Sequence, residues 1–126
     1  MAKAVLVVDD EPNFANMIKL NLEATGYYQV QTEHRGSQAL NTALHYHPDL
    51  ILLDVIMPDK EGPEVMFQFK SQDQVKNIPI IFLTATVTKE EVVAQEGQIG
   101  GHPFVAKPGS IRELVECIEK QFENTN

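Results

Sequence analysis

The chain alternates between short unbroken apolar runs and stretches whose apolar residues return every three or four positions. Residues 4–8 form a Val-rich run of strand length, of the kind that suits a strand covered on both faces. Residues 13–25 predict a helix, with Phe14, Met17, Ile18, Asn21 and Leu22 at helical spacing. Pro12 stands near its start, where a missing N–H costs little, and Gly26 is a natural stop. Residues 28–32 predict a second strand. Residues 38–45 predict a second helix, with Leu40 and Leu44 one turn apart and Pro48 beyond its end. A third strand at 50–53 runs into Asp54, and Pro63 opens a third helix at 63–69. A fourth strand at 79–83 runs into Thr84. Thr88 and Glu91 have capping-box spacing, which starts a fourth helix that Gly97 ends. A short fifth strand at 104–106 ends at Lys107. Ser110 and Glu113 repeat the box, and Ile111, Leu114, Val115, Ile118 and Phe122 form one stripe of the last helix. Residues 123–126 are expected to fray.

Five strand–helix units in alternation predict an α/β fold, a (βα)5 arrangement with helices on both faces of a five-stranded parallel sheet. Right-handed crossovers leave few doubly wound topologies, and the order 2-1-3-4-5 is the predicted one.

Length and composition narrow the class. The 126 residues fit one domain, and the 43% hydrophobic content supplies its core. The whole of 1–126 is expected to be that domain, with about 4–122 structured and no length left for a second, output domain. The single cysteine, Cys117, forbids an internal disulfide and suits a reducing compartment. Asp9 interrupts the apolar start before a signal peptide could form, and no apolar run is long enough to cross a bilayer. A cytoplasmic location without membrane contact is therefore expected. The formal net charge of −8 argues against direct binding of nucleic acid. Most of the eighteen carboxylates need no explanation beyond solvation.

A few carboxylates are placed too specifically for that. In open α/β sheets, sites form outside the carboxyl ends of the strands. The polar residues there are Asp9, Asp10 and Glu11 after the first strand, Asp54 after the third, Thr84 after the fourth and Lys107 after the fifth. Two carboxylates about 4 Å apart repel by roughly 4 kcal/mol at an effective dielectric of 20. Either one of them stays protonated or a cation enters. Oxygen-only donors favour a hard cation, and partly hydrated Mg²⁺ fits a site with few protein ligands. Asp54 is then a candidate nucleophile for phosphoryl transfer, which asks a protein mainly for positioning and charge neutralisation. Thr84 can donate to a phosphoryl oxygen, and Lys107 can balance its charge.

These pieces carry a resemblance. Val7-Val8-Asp9-Asp10-Glu11, Asp54-Val55-Ile56-Met57-Pro58 with Gly62 after it, Thr84-Ala85 and Lys107-Pro108 stand in order at matching strand ends. Along almost its full length the chain resembles a response-regulator receiver domain, a flavodoxin-like fold of two-component phosphorelay signalling. The resemblance implies that Asp54 is the phospho-acceptor, taking its phosphoryl group from a histidine kinase or histidine phosphotransfer protein. It implies Mg²⁺, with Mn²⁺ as a substitute, held by Asp9, Asp10, Asp54 and the backbone carbonyl of Ile56. Thr84 and Lys107 would contact the phosphoryl group, the bond before Pro108 would be cis, and Phe104 would be the switch aromatic. Such a protein is a switch rather than an enzyme, although its own site assists phosphorylation and slow autodephosphorylation.

The chain departs from the family pattern in several places. Phe104 replaces a frequent Tyr, Gly100-Gly101-His102-Pro103 replaces a small-and-acidic stretch, and Gly109 follows the Lys-Pro pair. Ile56 and Thr86 occupy the positions that tune phosphoryl lifetime in the family. An apolar Ile56 cannot orient water, so a long-lived phospho-aspartate is expected. A shift from 1:99 to 99:1 takes roughly 5.5 kcal/mol. One charged hydrogen bond from Thr84 supplies about 1.5–3 kcal/mol, so Lys107 and repacking of Phe104 must add the rest. The face formed by the fourth helix, fifth strand and last helix is the expected output surface, for a partner or an output domain.

Other functions fit these residues less well. A phosphatase with an aspartate nucleophile needs an acid at position 56, where Ile56 stands. A nucleotide- or flavin-binding module needs a Gly/Ser/Thr-rich first turn, where Asp9-Asp10-Glu11-Pro12 stands. A receiver-like interaction scaffold that takes no phosphate stays open as the alternative. His45 and His47 lack a third ligand nearby and read as surface residues, His34 and His102 have no evident role, and Cys117 reads as an inert helix residue.

Overall fold

A computed structural model describes residues 2–84, 98–99, 102–107 and 110–124. The elements in chain order are β1 (Lys3–Val8), α1 (Pro12–Ala24), β2 (Tyr28–Glu33), α2 (Gly36–Tyr46), β3 (Leu50–Asp54), α3 (Gly62–Lys70), β4 (Ile80–Thr84), β5 (Gln98–Ile99), β6 (His102–Ala106) and a C-terminal helix, α4 (Ile111–Asn124). The sheet order is β2-β1-β3-β4-β6-β5. Its first five strands are parallel and reproduce the predicted 2-1-3-4-5, β6 being the predicted fifth strand. The addition is β5, two residues that pair antiparallel with β6. The predicted fourth helix with its Thr88–Glu91 box, Gly97, Thr86 and the Lys107–Pro108 bond lie outside the described residues.

The unbroken apolar runs become strands because each strand is covered twice. In β1, Val5 and Val7 point to one face and Leu6 and Val8 to the other, and β3 and β4 alternate likewise. α1 and α4 cover the first face through Ile18, Leu22, Leu114 and Ile118. α2 and α3 cover the second through Ala39, Ala43, Val65 and Phe69. Burying one such aliphatic or aromatic side chain contributes roughly 1.5–3 kcal/mol, which is why the sheet, not helix propensity, fixes the fold.

Helix ends and faces show where local signals compete. The buried face of α1 is Ala15, Ile18 and Leu22, whereas Met17 is 37% exposed. The predicted stripe is thus rotated: Asn21 turns outward and donates to the Met17 carbonyl at 2.8 Å. α2 begins at Gly36, two residues before the predicted Gln38, and ends on His47 in the left-handed region at φ 56°. For α4 one bond of the predicted box is present, Glu113 N donating to Ser110 Oγ at 3.0 Å.

Candidate functional site

Strand register brings the polar residues together. Val8 pairs with Leu53; Asp9 follows Val8 just past the end of β1, and Asp54 follows Leu53 as the last residue of β3. Thr84 pairs with Ala106, and Lys107 comes next, its backbone N–H donating to the Thr84 carbonyl at 2.7 Å. Parallel strands in register therefore present Asp9, Asp54, Thr84 and Lys107 at one edge, and Asp10 joins them from the turn into α1. Asp9 is fully buried, Asp54 is 5% exposed and Thr84 is 1% exposed.

Three carboxylates crowd this edge. Asp9, Asp10 and Asp54 each offer an oxygen, and these oxygens all lie within 4.8 Å of one another. The Lys107 ammonium answers them at 2.8 Å from Asp9 Oδ2, 3.4 Å from Glu11 Oε1 and 3.8 Å from Asp54 Oδ2. It also sits 4.3 Å from the centre of the Phe14 ring, which favours a cation. Burial works against the Lys107 charge, but the Asp9 hydrogen bond and the fields of Asp9, Asp54 and Glu11 outweigh it and hold its pKa above the ordinary range. One ammonium does not balance three acids. Burial first, then the charge of Asp9 and a hydrogen bond with Asp10, push Asp54 up to about 7, with Lys107 pulling the other way.

That residual imbalance is the test of whether a cation fits. The donors are all carboxylate oxygens, close together and partly sealed from water, and burial and carboxylate repulsion are what raise Asp54. A hard divalent cation relieves both the repulsion and the proton. The site residues thus suit Mg²⁺.

The loop after Asp54 is held tightly. Gly62 N donates to the Val55 carbonyl at 2.7 Å. A Cβ at Gly62 would lie 2.5 Å from the Asp54 carbonyl oxygen, so only glycine lets α3 start this close to Asp54. Ile56 is 54% exposed and Met57 is buried. Phe104, the expected switch aromatic, is 3% exposed and packs with the α2–α3 side of the core, paired in register with Phe82.

Sequence reasoning missed two contributors. His34 Nδ1 lies 3.1 Å from the Asp9 carbonyl oxygen, so an imidazole with no local motif props the first turn. Asp59 accepts hydrogen bonds from Gly36 N and Ser37 N at the start of α2. His45 and His47 are exposed, as expected of surface histidines. Cys117 is half-buried, and burial raises its pKa, which disfavours the reactive thiolate.

A family model described as the response regulator receiver domain matches residues 5–119. The chain belongs to that family. Among curated relatives, it is 34% identical over 121 residues to the polar-differentiation response regulator DivK of Brucella abortus (strain 2308), covering 94% of this chain and 95% of that protein. It is 38% identical over 121 residues to the probable transcriptional regulatory protein TcrX of Mycobacterium tuberculosis, where the match spans 96% of this chain and 50% of TcrX. Among solved structures, the chemotaxis protein CheY4 of Vibrio cholerae aligns with a TM-score of 0.81 at 31% identity, covering 95% of this chain and 98% of that one. Receiver domains are the phospho-acceptor switches of two-component signalling, a family that binds Mg²⁺ at an acidic pocket, and this one has an acidic cluster of Asp9, Asp10 and Asp54.

Proposed function

We propose that this receiver domain accepts a phosphoryl group on Asp54 from a phosphohistidine donor, a histidine kinase or a histidine phosphotransfer protein. The single observation that carries the reading is the meeting of buried Asp9 and Asp54 and half-buried Asp10 with the Lys107 ammonium at one sheet edge. Asp9, Asp10, Asp54 and the Ile56 carbonyl would hold Mg²⁺, for which Mn²⁺ can substitute. When bound, the metal neutralises charge on the equatorial phosphoryl oxygens. An Asp54 carboxylate oxygen forms the new bond to phosphorus as the phosphorus–nitrogen bond to the donor imidazole breaks, and the electron pair leaves with that nitrogen. Lys107 is already within 3.8 Å of Asp54 and can follow the transferred group. Thr84 donates its hydroxyl to a phosphoryl oxygen.

The switch uses the same residues. Thr84 moves toward the phosphoryl group, Phe104 takes up the space, and the face formed by the fourth helix expected from the sequence, β6 and the C-terminal helix changes for a downstream partner or output domain. Thr84→Ala is expected to take phosphate yet lose partner affinity; unchanged affinity overturns this step. Exposed, apolar Ile56 offers no group to orient water, so the phospho-aspartate is long-lived. The domain, residues 1–126, acts in the cytoplasm and has no direct nucleic-acid role. Among the described residues no helix is long and apolar enough to cross a membrane.

The test is intact mass after incubation with a small acyl phosphate. One phosphoryl adduct that requires Mg²⁺ supports the reading. No adduct, under conditions that modify a known receiver, favours the phosphate-independent scaffold.

A further inference from the structure

The loop between Asp54 and α3 leaves the sheet with Val55 N donating to the Leu83 carbonyl at 3.0 Å and has three further anchors. Gly62 N closes it onto the Val55 carbonyl at 2.7 Å. Met57, 3% exposed, plugs it into the core beneath α2 and α3. The third anchor reaches outward: Asp59 Oδ1 accepts from Gly36 N at 3.2 Å and Asp59 Oδ2 accepts from Ser37 N at 2.9 Å. α2 has no side-chain cap of its own, because Arg35 stands at its N-cap. Asp59 caps it from another segment. Unpaired N–H groups and the helix dipole favour a carboxylate there. Hydrogen bonds, first from Ser37 and then from Gly36, hold the Asp59 carboxyl below its usual range.

The two segments also touch backbone to backbone. A Cβ added at Gly36 would lie 2.8 Å from the Lys60 carbonyl oxygen and 3.2 Å from Met57 Cε. The first turn of α2 is therefore seated against the acceptor loop, and Ile56 lies between the Val55 and Met57 anchors.

We propose that Asp59 is a positioning residue for the cation site: by capping α2 it fixes the loop between Asp54 and Gly62, and so the carbonyl of Ile56. The inference rests on the metal-assisted reading above. Mg²⁺ tolerates little departure from octahedral geometry, so a loop freed of one anchor holds it less well. Asp59 itself is exposed, and its removal disturbs no core contact.

Isothermal titration of Mg²⁺ into the parent, Asp59→Ala and Asp59→Asn proteins tests this, with amide spectra of the ¹⁵N-labelled chains. Asp59→Ala is expected to weaken Mg²⁺ about tenfold, the range seen when a ligand loses its support. Asp59→Asn keeps an acceptor oxygen without the charge and should stay close to the parent. Gly36 and Ser37 amide resonances should move with Mg²⁺ in the parent and not in Asp59→Ala. Gly36→Ala, which crowds the same contact from the helix side, should weaken Mg²⁺ too. Unaltered affinity in Asp59→Ala overturns the proposal, as does equal loss in the Ala and Asn variants, which would mark a charge effect alone. No Mg²⁺ binding by the parent overturns the cation site itself, and the role of Asp59 with it.

Discussion

β1 carries a lysine–aromatic contact near each of its ends, and the two are built differently. At the amino end, the Lys3 ammonium lies 5.1 Å from the centre of the Phe122 ring, and Tyr28 donates its hydroxyl to Glu119. Burial and the neighbouring Glu119 raise the Tyr28 pKa, so the phenol keeps its proton as donor. The two contacts there are pairwise, one ammonium to one ring and one hydroxyl to one carboxylate. At the carboxyl end, Lys107 lies over Phe14 but faces Asp9, Glu11 and Asp54 together, with Asp10 beside them. One end is satisfied by the chain alone. The other needs a proton or a cation from outside, and this unpaired demand is what makes a site rather than a structural contact.

Breaking the imbalance at its source gives the largest effect. Asp54→Asn should abolish the phosphoryl adduct in intact mass. It should also stabilise the metal-free protein at neutral pH. The folded-state pKa of Asp54 is raised from 3.8 to about 7, so its contribution is full below 3.8 and is lost as pH rises through 7. The variant has no such slope, and its melting temperature at neutral pH should exceed the parent's by a few degrees, about 4–8 °C for each kcal/mol in a small domain.

Supplying the missing cation should do the same for the parent. At about a hundredfold over its Kd, Mg²⁺ stabilises by about 2.7 kcal/mol, readable by thermal unfolding. The gain should shrink as pH falls below about 7, because the Asp54 proton competes with the metal. A gain that does not depend on pH between 6 and 8 would contradict the assignment of that proton.

Lys107→Ala sharpens the comparison from the other side. With the internal ammonium gone, Mg²⁺ should bind about three- to tenfold more tightly, up to about 1.4 kcal/mol by calorimetry. Weaker binding would mean that Lys107 holds the site together rather than competing for it. The smallest change belongs to the satisfied end. Tyr28→Phe should cost about 0.5–1.5 kcal/mol in denaturant unfolding and leave Mg²⁺ affinity untouched.

Much of the fold and the site is legible in the sequence because both rest on apolar strand runs and on the polar residues at their carboxyl ends. Asp9, Asp54, Thr84 and Lys107 each stand at or just past the end of such a run, so predicting the strand order is enough to bring them together. The stripe of α1 reads one position off, because Met17 and Asn21 fit the helical period as well as Ala15 does, and only the sheet decides which face is covered. The start of α2 is hidden because its cap, Asp59, lies 22 residues away from Ser37 and resembles an ordinary turn acid beside Pro58. His34 gives no signal, since a ring that meets a backbone carbonyl leaves no pattern in residue types. β5 has two residues and pairs at an edge, too little for any periodicity to register.

The most direct test locates the phosphoryl group. After phosphorylation with an acyl phosphate and Mg²⁺, borohydride reduces an aspartyl phosphate to homoserine, and tandem mass spectrometry of the peptides reads the position. Homoserine at residue 54 alone, and only with Mg²⁺ present, is the predicted result. Homoserine at another aspartate, the longer hydroxy residue at a glutamate, or no reduced residue from a protein that binds Mg²⁺ with the expected pH dependence, would contradict the account.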